Sequence, residues 1–381
     1  MSTIKANAIL DASGGNTTTI NGTTPTAYNT MGKNRIINGA MEIDQRNAGA
    51  SVALSGTGQF IVDRWKCRLD ASSSSTGQQV SDAPSGFNNS IKITIGTGAS
   101  PSSSQIGWLS QFTEGLYISD FGFGTADAKT VTLSFWVKSS VTGVFSGVIK
   151  NQNTSAYPFE YTVSSANTWE QKSVTIAGDT ANTWGTDNSF GIGVFFDLGT
   201  GTTYQASDGS WASGQYFSAT GSTSLCATSG ATFYITGVQL EAGSVATEFE
   251  RRPYGMELAL CQRYYEKSYN IGTVPGTNTT TGIAGYIVMA NSTTSLANNG
   301  TNAVVFKVYK RTTPTITTYD SVGNSGKLSY APAGIGRQDN ITSGVHRQAE
   351  GGFGVYTTSA SSLTAGQAVE QFHQWTADAE L

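Results

Sequence analysis

Alternation of apolar and polar residues is the feature of this sequence that most constrains what it can fold into. In VTLSFWVK (Val131–Lys138) every second residue is apolar, namely Val131, Leu133, Phe135 and Val137. Because successive side chains of a β-strand point to opposite faces, this pattern predicts a strand with one buried face. The pattern recurs in Phe190–Phe196 and in Ala231–Leu240, where Gly237 breaks it and predicts a β-bulge. The chain is therefore expected to be built from strands.

Short apolar segments separated by glycine, asparagine, serine or proline continue this pattern over much of the chain. Further strands are predicted at Phe60–Arg68, Ser90–Ile95, Trp108–Phe112, Val144–Lys150 and Lys172–Ile176. Composition agrees, because the 381 residues include 45 glycines and only 13% are charged, which favours strands and turns over helices. Seven or eight antiparallel strands without intervening helices fit two packed sheets. We predict an all-β fold with a jelly-roll β-sandwich over residues 34–253.

One short helix is predicted after the sandwich, within residues 254–267. In Gly255–Lys267 apolar residues recur at the spacing of one helical face, and further apolar residues widen that face. A face this broad must pack on the sandwich, on the following domain, or on copies of itself around an oligomer axis. The helix residues predicted for an oligomer interface are Met256, Leu258, Leu260, Tyr264 and Tyr265.

The N-terminal residues 1–33 are polar and of low complexity, so they cannot bury a core of their own. Such a segment is either a mobile tail or an arm ordered by pairing with other chains. The short apolar stretch with Ile4, Ile9 and Leu10 favours an extended N-terminal arm, and these three residues join the predicted oligomer interface.

Residues 268–381 predict a smaller C-terminal β domain, which would serve as a tip or interaction domain. Its strands are predicted near Ile283–Met289, Ala303–Tyr309, Thr315–Tyr319, Gly352–Tyr356 and Val369–Trp375. Between them, the segment from Ser321 to Arg347 is glycine-rich and is predicted to be a long exposed loop, the kind of segment in which binding function usually lies.

Charge and segment length disfavour several classes of function. A net charge of -4 and a sequence pI near 5.3 argue against a nucleic-acid partner. No apolar run approaches the ~18 residues of a membrane span, and the N-terminus lacks the apolar region of a signal peptide, so we expect neither membrane insertion nor export. Cys67, Cys226 and Cys261 are far apart and form no CxxC motif, which predicts buried free thiols.

Motifs for catalysis or metal binding are nearly absent. The two histidines, His346 and His373, have no second histidine or cysteine nearby, and no GxSxG motif is present. Carboxylates could form a glycosidase pair or hold Ca²⁺, but the sequence neither pairs them nor contains a DxDxDG pattern. The carboxylates considered are Glu114, Asp120, Glu160, Asp179, Asp187, Asp197 and Asp208. We predict no enzymatic activity, no metal site and no cofactor, with structural calcium unsupported by any motif.

Aromatic residues in polar loops are the functional signal with a physical mechanism. Sugars present faces of C–H groups and rims of hydroxyls, so binding sites combine an exposed ring with polar neighbours. The residues in such surroundings are Trp184, Trp211, Tyr216 and Tyr330. The alternative for each is a buried ring that anchors the core.

Several longer segments resemble a family of bacteriophage tail-fibre and related virion structural proteins. They are NRIINGAMEIDQRNAG (Asn34–Gly49), FIVDRW (Phe60–Trp65), TWEQKSVTIAGDT (Thr168–Thr180), GSWASGQYFSATG (Gly209–Gly221), ATFYITGVQLEAGSVATEFERRPYG (Ala231–Gly255), LCQRYYEKSY (Leu260–Tyr269) and FHQWTADAEL (Phe372–Leu381). Together they span most of Asn34–Tyr269 and the last ten residues. The N-terminal segment resembles the anchoring segments of marine and cyanobacterial phage fibres, whereas Asn270–Gln371 departs from the family.

The resemblance implies a carbohydrate-binding-module-like jelly roll, a homotrimer and a place on the virion, and it supplies no catalytic residues. We therefore expect a tail-fibre-type protein that attaches to other tail or baseplate proteins by its N-terminal arm. Loops of its β domains would recognise a host-surface glycan or protein. Two alternatives stay open: a structural adaptor or head-decoration fibre without receptor binding, and a glycan hydrolase.

Overall fold

The computed structural model describes residues 32–152, 155–292, 303–357 and 363–381. Within these ranges the chain forms 24 strands, one α-helix and four short 3-10 helices. The predicted all-β fold is confirmed. No helix in the described ranges is long and apolar enough to cross a membrane. The N-terminal arm with Ile4, Ile9 and Leu10 lies almost wholly outside the described residues.

The first fifteen strands belong to the sandwich region. They are β1 Val52–Ala53, β2 Gln59–Val62, β3 Trp65–Leu69, β4 Thr76–Val80, β5 Ser90–Thr94, β6 Gly107–Glu114, β7 Val131–Ser139, β8 Gly143–Lys150, β9 Ser155–Val163, β10 Glu170–Ile176, β11 Phe190–Asp197, β12 Gln205–Ala206, β13 Ala212–Ser213, β14 Ser218–Ala219 and β15 Thr232–Ala242. The 3-10 helices are Gly115–Tyr117, Ser119–Phe121, Thr202–Tyr204 and Leu225–Ala227.

Two antiparallel sheets form the sandwich. A six-stranded sheet has the order β1-β4-β5-β15-β7-β10, and a seven-stranded sheet has the order β13-β9-β8-β11-β6-β3-β2. A separate short pair, β12 and β14, is parallel. The chain crosses between the sheets repeatedly, as from β6 to β7 and back to β8, which is the connectivity of a jelly roll. The predicted jelly-roll sandwich is confirmed.

The alternating residues supply the core between the sheets. Leu133 and Phe135 on β7 and Val194 and Phe196 on β11 are fully buried. The rings of Phe135 and Phe196, one from each sheet, have centroids 4.9 Å apart. Burying a side chain of this size contributes roughly 1.5–3 kcal/mol, so these contacts are a main source of stability.

The predicted bulge at Gly237 is present in β15. The register between β15 and β7 shifts between Thr236 and Gln239, and Gly237 has a φ of +62°. A Cβ atom there would also lie 2.7 Å from Cζ of Phe87. Glycine is required both by the left-handed backbone and by this close approach.

Two sandwich predictions need correction. The predicted strand Phe60–Arg68 is a hairpin of β2 and β3, and its turn places Arg64 at a φ of +73°. The sequence also gave no sign of β9, because Pro158 cannot donate to a strand ladder. Pro158 is tolerated because its outer neighbour β13 pairs only with Ser155 and Ala156, so no ladder hydrogen bond to β13 is lost at the proline. The carbonyl of Pro158 accepts from the amide of Gly209.

The helix is shorter than predicted. It spans α1 Tyr254–Gln262, and Tyr265–Lys267 forms a strand instead. The backbone of this strand pairs with residues 376–378 near the C-terminus, a long-range contact that helical periodicity cannot reveal. The predicted oligomer contacts Tyr264 and Tyr265 are therefore wrong, since their side chains are buried within the chain.

The C-terminal region contains nine strands. They are β16 Tyr265–Lys267, β17 Ala284–Met289, β18 Ala303–Val305, β19 Thr315–Tyr319, β20 Lys327–Pro332, β21 Gln338–Thr342, β22 Gly344–Ala349, β23 Gly352–Tyr356 and β24 Ala368–Asp378. The long strand β24 pairs with β16, β17, β19 and β20, while β18, β23 and β22 form a separate sheet. The predicted long loop from Ser321 to Arg347 is wrong, because it contains β20, β21 and most of β22.

Buried charges connect the sandwich, the helix and the C-terminal strands. Glu114 at the end of β6 accepts two hydrogen bonds of 2.7 Å from Arg263. Arg64 in the β2–β3 turn pairs with Glu380, four-fifths of the chain away. Lys310 and Glu266 form a fully buried ion pair with an N–O distance of 2.7 Å.

We predict that Lys310→Met destabilises the folded chain by about 3–5 kcal/mol, because it leaves the Glu266 carboxylate buried without its partner. Urea unfolding followed by circular dichroism measures this change. The double variant Glu266→Gln/Lys310→Met removes both charges and should recover most of the loss. A single variant as stable as the wild type would show that the pair is not buried in solution.

His373 on β24 is fully buried, with its ring centroid 6.0 Å from that of Tyr286 and 6.4 Å from that of Phe353. Neither ring nitrogen has a hydrogen-bond partner in the part of the chain that the structure describes. Burial lowers the pKa of His373 to about 4. The imidazole is therefore neutral in the folded protein at pH values at which the unfolded chain binds a proton.

The sign of this effect gives a pH prediction. As pH falls from 6.5 to 4, the unfolded chain gains a proton that the buried His373 does not, so the wild type loses about 3 kcal/mol relative to His373→Phe. Burial raises the pKa of Asp63 and of Asp197 to about 6, which acts in the opposite direction. Only the difference between the two proteins is therefore diagnostic. If the free energies of unfolding of the two proteins changed by the same amount between pH 6.5 and pH 4, the burial of His373 would be contradicted.

Candidate functional site

The outward side of the seven-stranded sheet carries a continuous set of aromatic rings. On β6, Trp108, Ser110 and Phe112 point away from the core, because the intervening Leu109 is fully buried between the sheets. We call this surface the outer aromatic face. Its rings are Trp108, Phe112, Phe190, Phe195, Tyr204, Tyr216 and Phe217.

The rings of this face contact one another at close range. The centroid of Phe195 is 5.5 Å from that of Trp108, 5.6 Å from that of Phe112 and 5.2 Å from that of Phe217. Trp108 and Phe195 are nearly buried, whereas Phe112 and Phe217 are half-buried. The face thus has a packed base and a partly accessible rim.

Gly193 on β11 makes room for the rings. It lies opposite Phe112 in the register of the two strands. A Cβ atom at this position would lie 2.7 Å from Cε2 of Phe195 and 2.9 Å from Cζ of Phe190. The absence of a side chain lets these rings lie across the strand.

The segment from Thr200 to Ser222 covers one side of the face. It is held by Asp197, which accepts hydrogen bonds of 3.1 Å from the hydroxyls of Ser218 and Ser222. Burial raises the pKa of Asp197 to about 6, and the hydrogen bonds oppose that rise. Tyr204 and Phe217 of this segment extend the aromatic surface, with centroids 5.9 Å apart.

Two polar groups within the face have no protein partner. The indole Nε1 of Trp108 and the hydroxyl of Ser110 are buried, and neither has a hydrogen-bond partner among the described residues. An unpaired buried polar group costs about 1–3 kcal/mol.

One cation lies beside the rings. The Nζ atom of Lys150 is 4.6 Å from the ring centroid of Phe217, and it donates a hydrogen bond to Gln215. Burial lowers the pKa of Lys150 to about 8. At neutral pH a buried positive charge therefore lies beside Phe217 and next to the exposed amide of Gln215.

The four aromatic residues predicted as sugar platforms have different positions. Tyr216 belongs to the outer aromatic face. Trp211 is half-buried with its Nε1 donating to the carbonyl of Ala177, and its ring lies 5.5 Å from that of Trp184. The prediction for Trp184 is wrong, because the ring is 6% exposed and its Nε1 donates to Asp179. The prediction for Tyr330 is also wrong, because the ring is fully buried against β24.

The sequence analysis did not predict the outer aromatic face, of which the buried Trp108 and Phe195 form the base and the half-buried Phe112 part of the rim. The available signal was that β6 and β11 have aromatic or aliphatic residues at both sets of alternating positions. Such strands have a second apolar face that the sandwich core does not use.

The carboxylates considered for catalysis are mostly engaged elsewhere. Glu114 binds Arg263 and Tyr264, Asp120 pairs with Arg35, and Asp179 accepts from Trp184 and Ser155. Glu160 on β9 is exposed as a residue. The pKa of its carboxyl group is raised first by slight desolvation and then by the negative charge of Asp208.

The described residues include no group of three or more histidine, cysteine or acidic side chains placed to hold a metal ion. His346 stacks on Tyr356, with centroids 5.1 Å apart. The predicted state of the cysteines is confirmed, since Cys67, Cys226 and Cys261 are free and buried.

The remaining predicted oligomer contacts lie on α1. Leu258 and Leu260 are half-buried against a cluster that includes Ile37 and Ile43, which precede the first strand. Met256 is 52% exposed. Of the described residues in that set, Met256 is thus the most available to another chain.

Comparisons with known proteins gave only distant similarity. No protein-family model matches the chain, and no curated protein matches it. It is similar to the enzymatically active domain of tailspike protein 4 of bacteriophage CBA120, with 13% identity and a TM-score of 0.31, over 55% of this chain and 21% of that one. The chain therefore spans about a fifth of the length of that domain.

Carbohydrate-binding modules are also among the similar structures. The family 11 module from Clostridium thermocellum matches with 10% identity and a TM-score of 0.27, over 50% of this chain and 96% of that one. The xylan-binding domain from Paenibacillus barcinonensis matches with 12% identity and a TM-score of 0.23, over 52% and 99%. Similarity at this level does not establish what this chain binds.

The thiols give a direct test of the described packing. Burial raises the pKa of Cys226 to about 12 and raises the pKa values of Cys67 and Cys261. We predict that Ellman's reagent at mildly alkaline pH reacts with no thiol in the native protein and with all three in guanidinium chloride. Rapid reaction of any thiol in the native protein would contradict its burial.

Proposed function

We propose that this chain is a tail-fibre-type structural protein of a bacteriophage particle that binds a host-surface glycan through the outer aromatic face. The observation that carries the proposal is a set of partly accessible rings packed on the buried rings of Trp108 and Phe195. The accessible rings are Phe112, Phe190, Tyr204, Tyr216 and Phe217. Neither a hydrophobic core nor a solvated surface needs this combination.

Sugar chemistry matches the face in two respects. The C–H groups of a pyranose ring pack on aromatic rings such as Phe112 and Phe217, while its hydroxyls need hydrogen-bond partners at the edge. The hydroxyls of the half-buried Tyr204 and Tyr216 on this face can donate or accept such hydrogen bonds. Gln215, whose side-chain oxygen accepts from the buried ammonium of Lys150, is exposed next to Tyr216.

A particle component with weak individual sites gains from repetition. We propose a homotrimer attached to tail or baseplate proteins by residues 1–33, with the β regions directed to the host. Exposed apolar side chains support contacts between chains: Met256 on α1, Ile287 and Met289 on β17, Val305 on β18, and Tyr309 between β18 and β19. Several copies of a weak glycan site add through effective concentration.

We predict that Phe112→Ala weakens glycan binding about tenfold or more, because one stacking ring is lost. The measurement is titration of the best-binding glycan from an array. Phe112→Tyr keeps the ring and should bind within about twofold of wild type.

The matched control is Tyr234→Ala. Tyr234 is also half-buried and aromatic, but it lies on the outer side of the six-stranded sheet beside Trp169. Sedimentation velocity on all variants checks that assembly is retained. Unchanged binding by Phe112→Ala together with loss in Tyr234→Ala would place the site on the other sheet and overturn the proposal.

A further inference from the structure

A second concave site lies where the chain enters the sandwich and where α1 begins. It is a groove of about 270 Å³. We call it the junction groove. Its lining includes Asn38, Glu42, Asn88, Phe249, Arg251 and Tyr254. Its lining comes from three segments, around residues 34–42, at Asn88 and around residues 249–257, which are far apart in the sequence.

The floor of the groove is formed by the backbone of residues 34–43, which precede the first strand and which we call the entry segment. Asn38 has a φ of +56°, and its side chain amide donates to the carbonyls of Ile43 and Asp63 at 2.8 and 3.0 Å. Gly39 passes so close to β15 that a Cβ atom would lie 2.2 Å from the carbonyl oxygen of Val238. The floor is therefore held in one conformation before any ligand arrives.

Aromatic side chains form the walls. Phe249 packs edge-on against Phe87, with centroids 5.1 Å apart, and the guanidinium of Arg251 lies 4.7 Å from the Phe87 centroid. On the other side Tyr254, the first residue of α1, is 53% exposed. Its hydroxyl has no hydrogen-bond partner in the described chain.

The charges around the groove divide into two groups. Glu250, Arg252 and Glu257 are satisfied by one another and by the backbone of the entry segment. Among the described residues, Glu42 accepts hydrogen bonds from the amides of the exposed Asn88 and the half-buried Asn89, at 3.2 and 3.0 Å. Arg251 donates to the carbonyl of Gly86 through one nitrogen. One carboxylate and one guanidinium thus face the groove with remaining capacity.

We propose that the junction groove binds the end of a neutral saccharide. A ring can pack on Tyr254 and Phe249, and adjacent hydroxyls can donate to Glu42 and accept from Arg251. Because these two charges cancel, the groove does not favour a charged ligand. Its volume is slightly below the roughly 300–1,000 Å³ of drug-sized pockets, which suits about one sugar ring.

This site is independent of the outer aromatic face. The groove lies against β15 of the six-stranded sheet, as the contact between Gly39 and Val238 shows. The outer aromatic face belongs to the seven-stranded sheet. Either site can therefore fail without the other.

The test uses the full chain and saturation-transfer difference NMR with cellotetraose, maltotetraose and chitotetraose at millimolar concentrations. At least one probe should bind the wild type. Tyr254→Ala and Arg251→Ala should each weaken that binding about tenfold. Leu116→Ala is the matched control, since Leu116 is 54% exposed, close to the 53% of Tyr254, but does not line the groove.

Three results would overturn the inference. They are the absence of binding by all three probes, wild-type binding by Tyr254→Ala, and an equal loss in Leu116→Ala. Phe112→Ala separates the two sites. If only Phe112→Ala loses the probe, the saccharide binds on the outer aromatic face alone, and the junction groove is excluded while the proposed function stands.

Discussion

Packing of the two sheets across a shared aromatic core is the constraint on which the rest of the structure depends. Phe135 from one sheet meets Phe196 from the other at a centroid distance of 4.9 Å. Because side chains alternate along each strand, fixing these residues inward also fixes which residues face outward. A slip of one residue in β6 would turn Trp108 and Phe112 into the core and expose Leu109. The outer aromatic face is thus determined by the same register that builds the core.

The local sequence pattern was sufficient to predict many strands of the sandwich, but it did not predict the long-range contacts between the sandwich, α1 and the C-terminal strands. Alternation in Val131–Lys138 and the break at Gly237 predicted a strand and a bulge, because both depend on adjacent residues. Tyr330 lies in a glycine-rich segment whose composition predicts a loop. It is buried because Tyr330 pairs with Gln371 on β24, about forty residues later. No local signal reports such a pairing. The junction groove escaped prediction for the same reason, since its walls meet only after folding.

The same argument explains the buried charges. Arg64 and Glu380, or Glu266 and Lys310, look like ordinary surface residues in the sequence. They are buried because the C-terminus returns to the sandwich, where Leu381 packs near Ile37 and Tyr264. Buried ion pairs give little net stability over well-packed apolar residues, but breaking one is costly. Such pairs therefore act mainly to reject other arrangements of the sandwich, α1 and the C-terminal strands.

Rigidity of this junction bears on how a sugar would be recognised. A weak site gains affinity when its groups are already in place, because less conformational entropy is lost on binding. The floor of the junction groove is held by Asn38 and Gly39, and the outer aromatic face by the anchor at Asp197. The two surfaces lie on different sheets of one rigid sandwich. A branched or repeating glycan could engage both only if its repeat matched their fixed separation, so the scaffold would select glycans by geometry as well as by sugar identity.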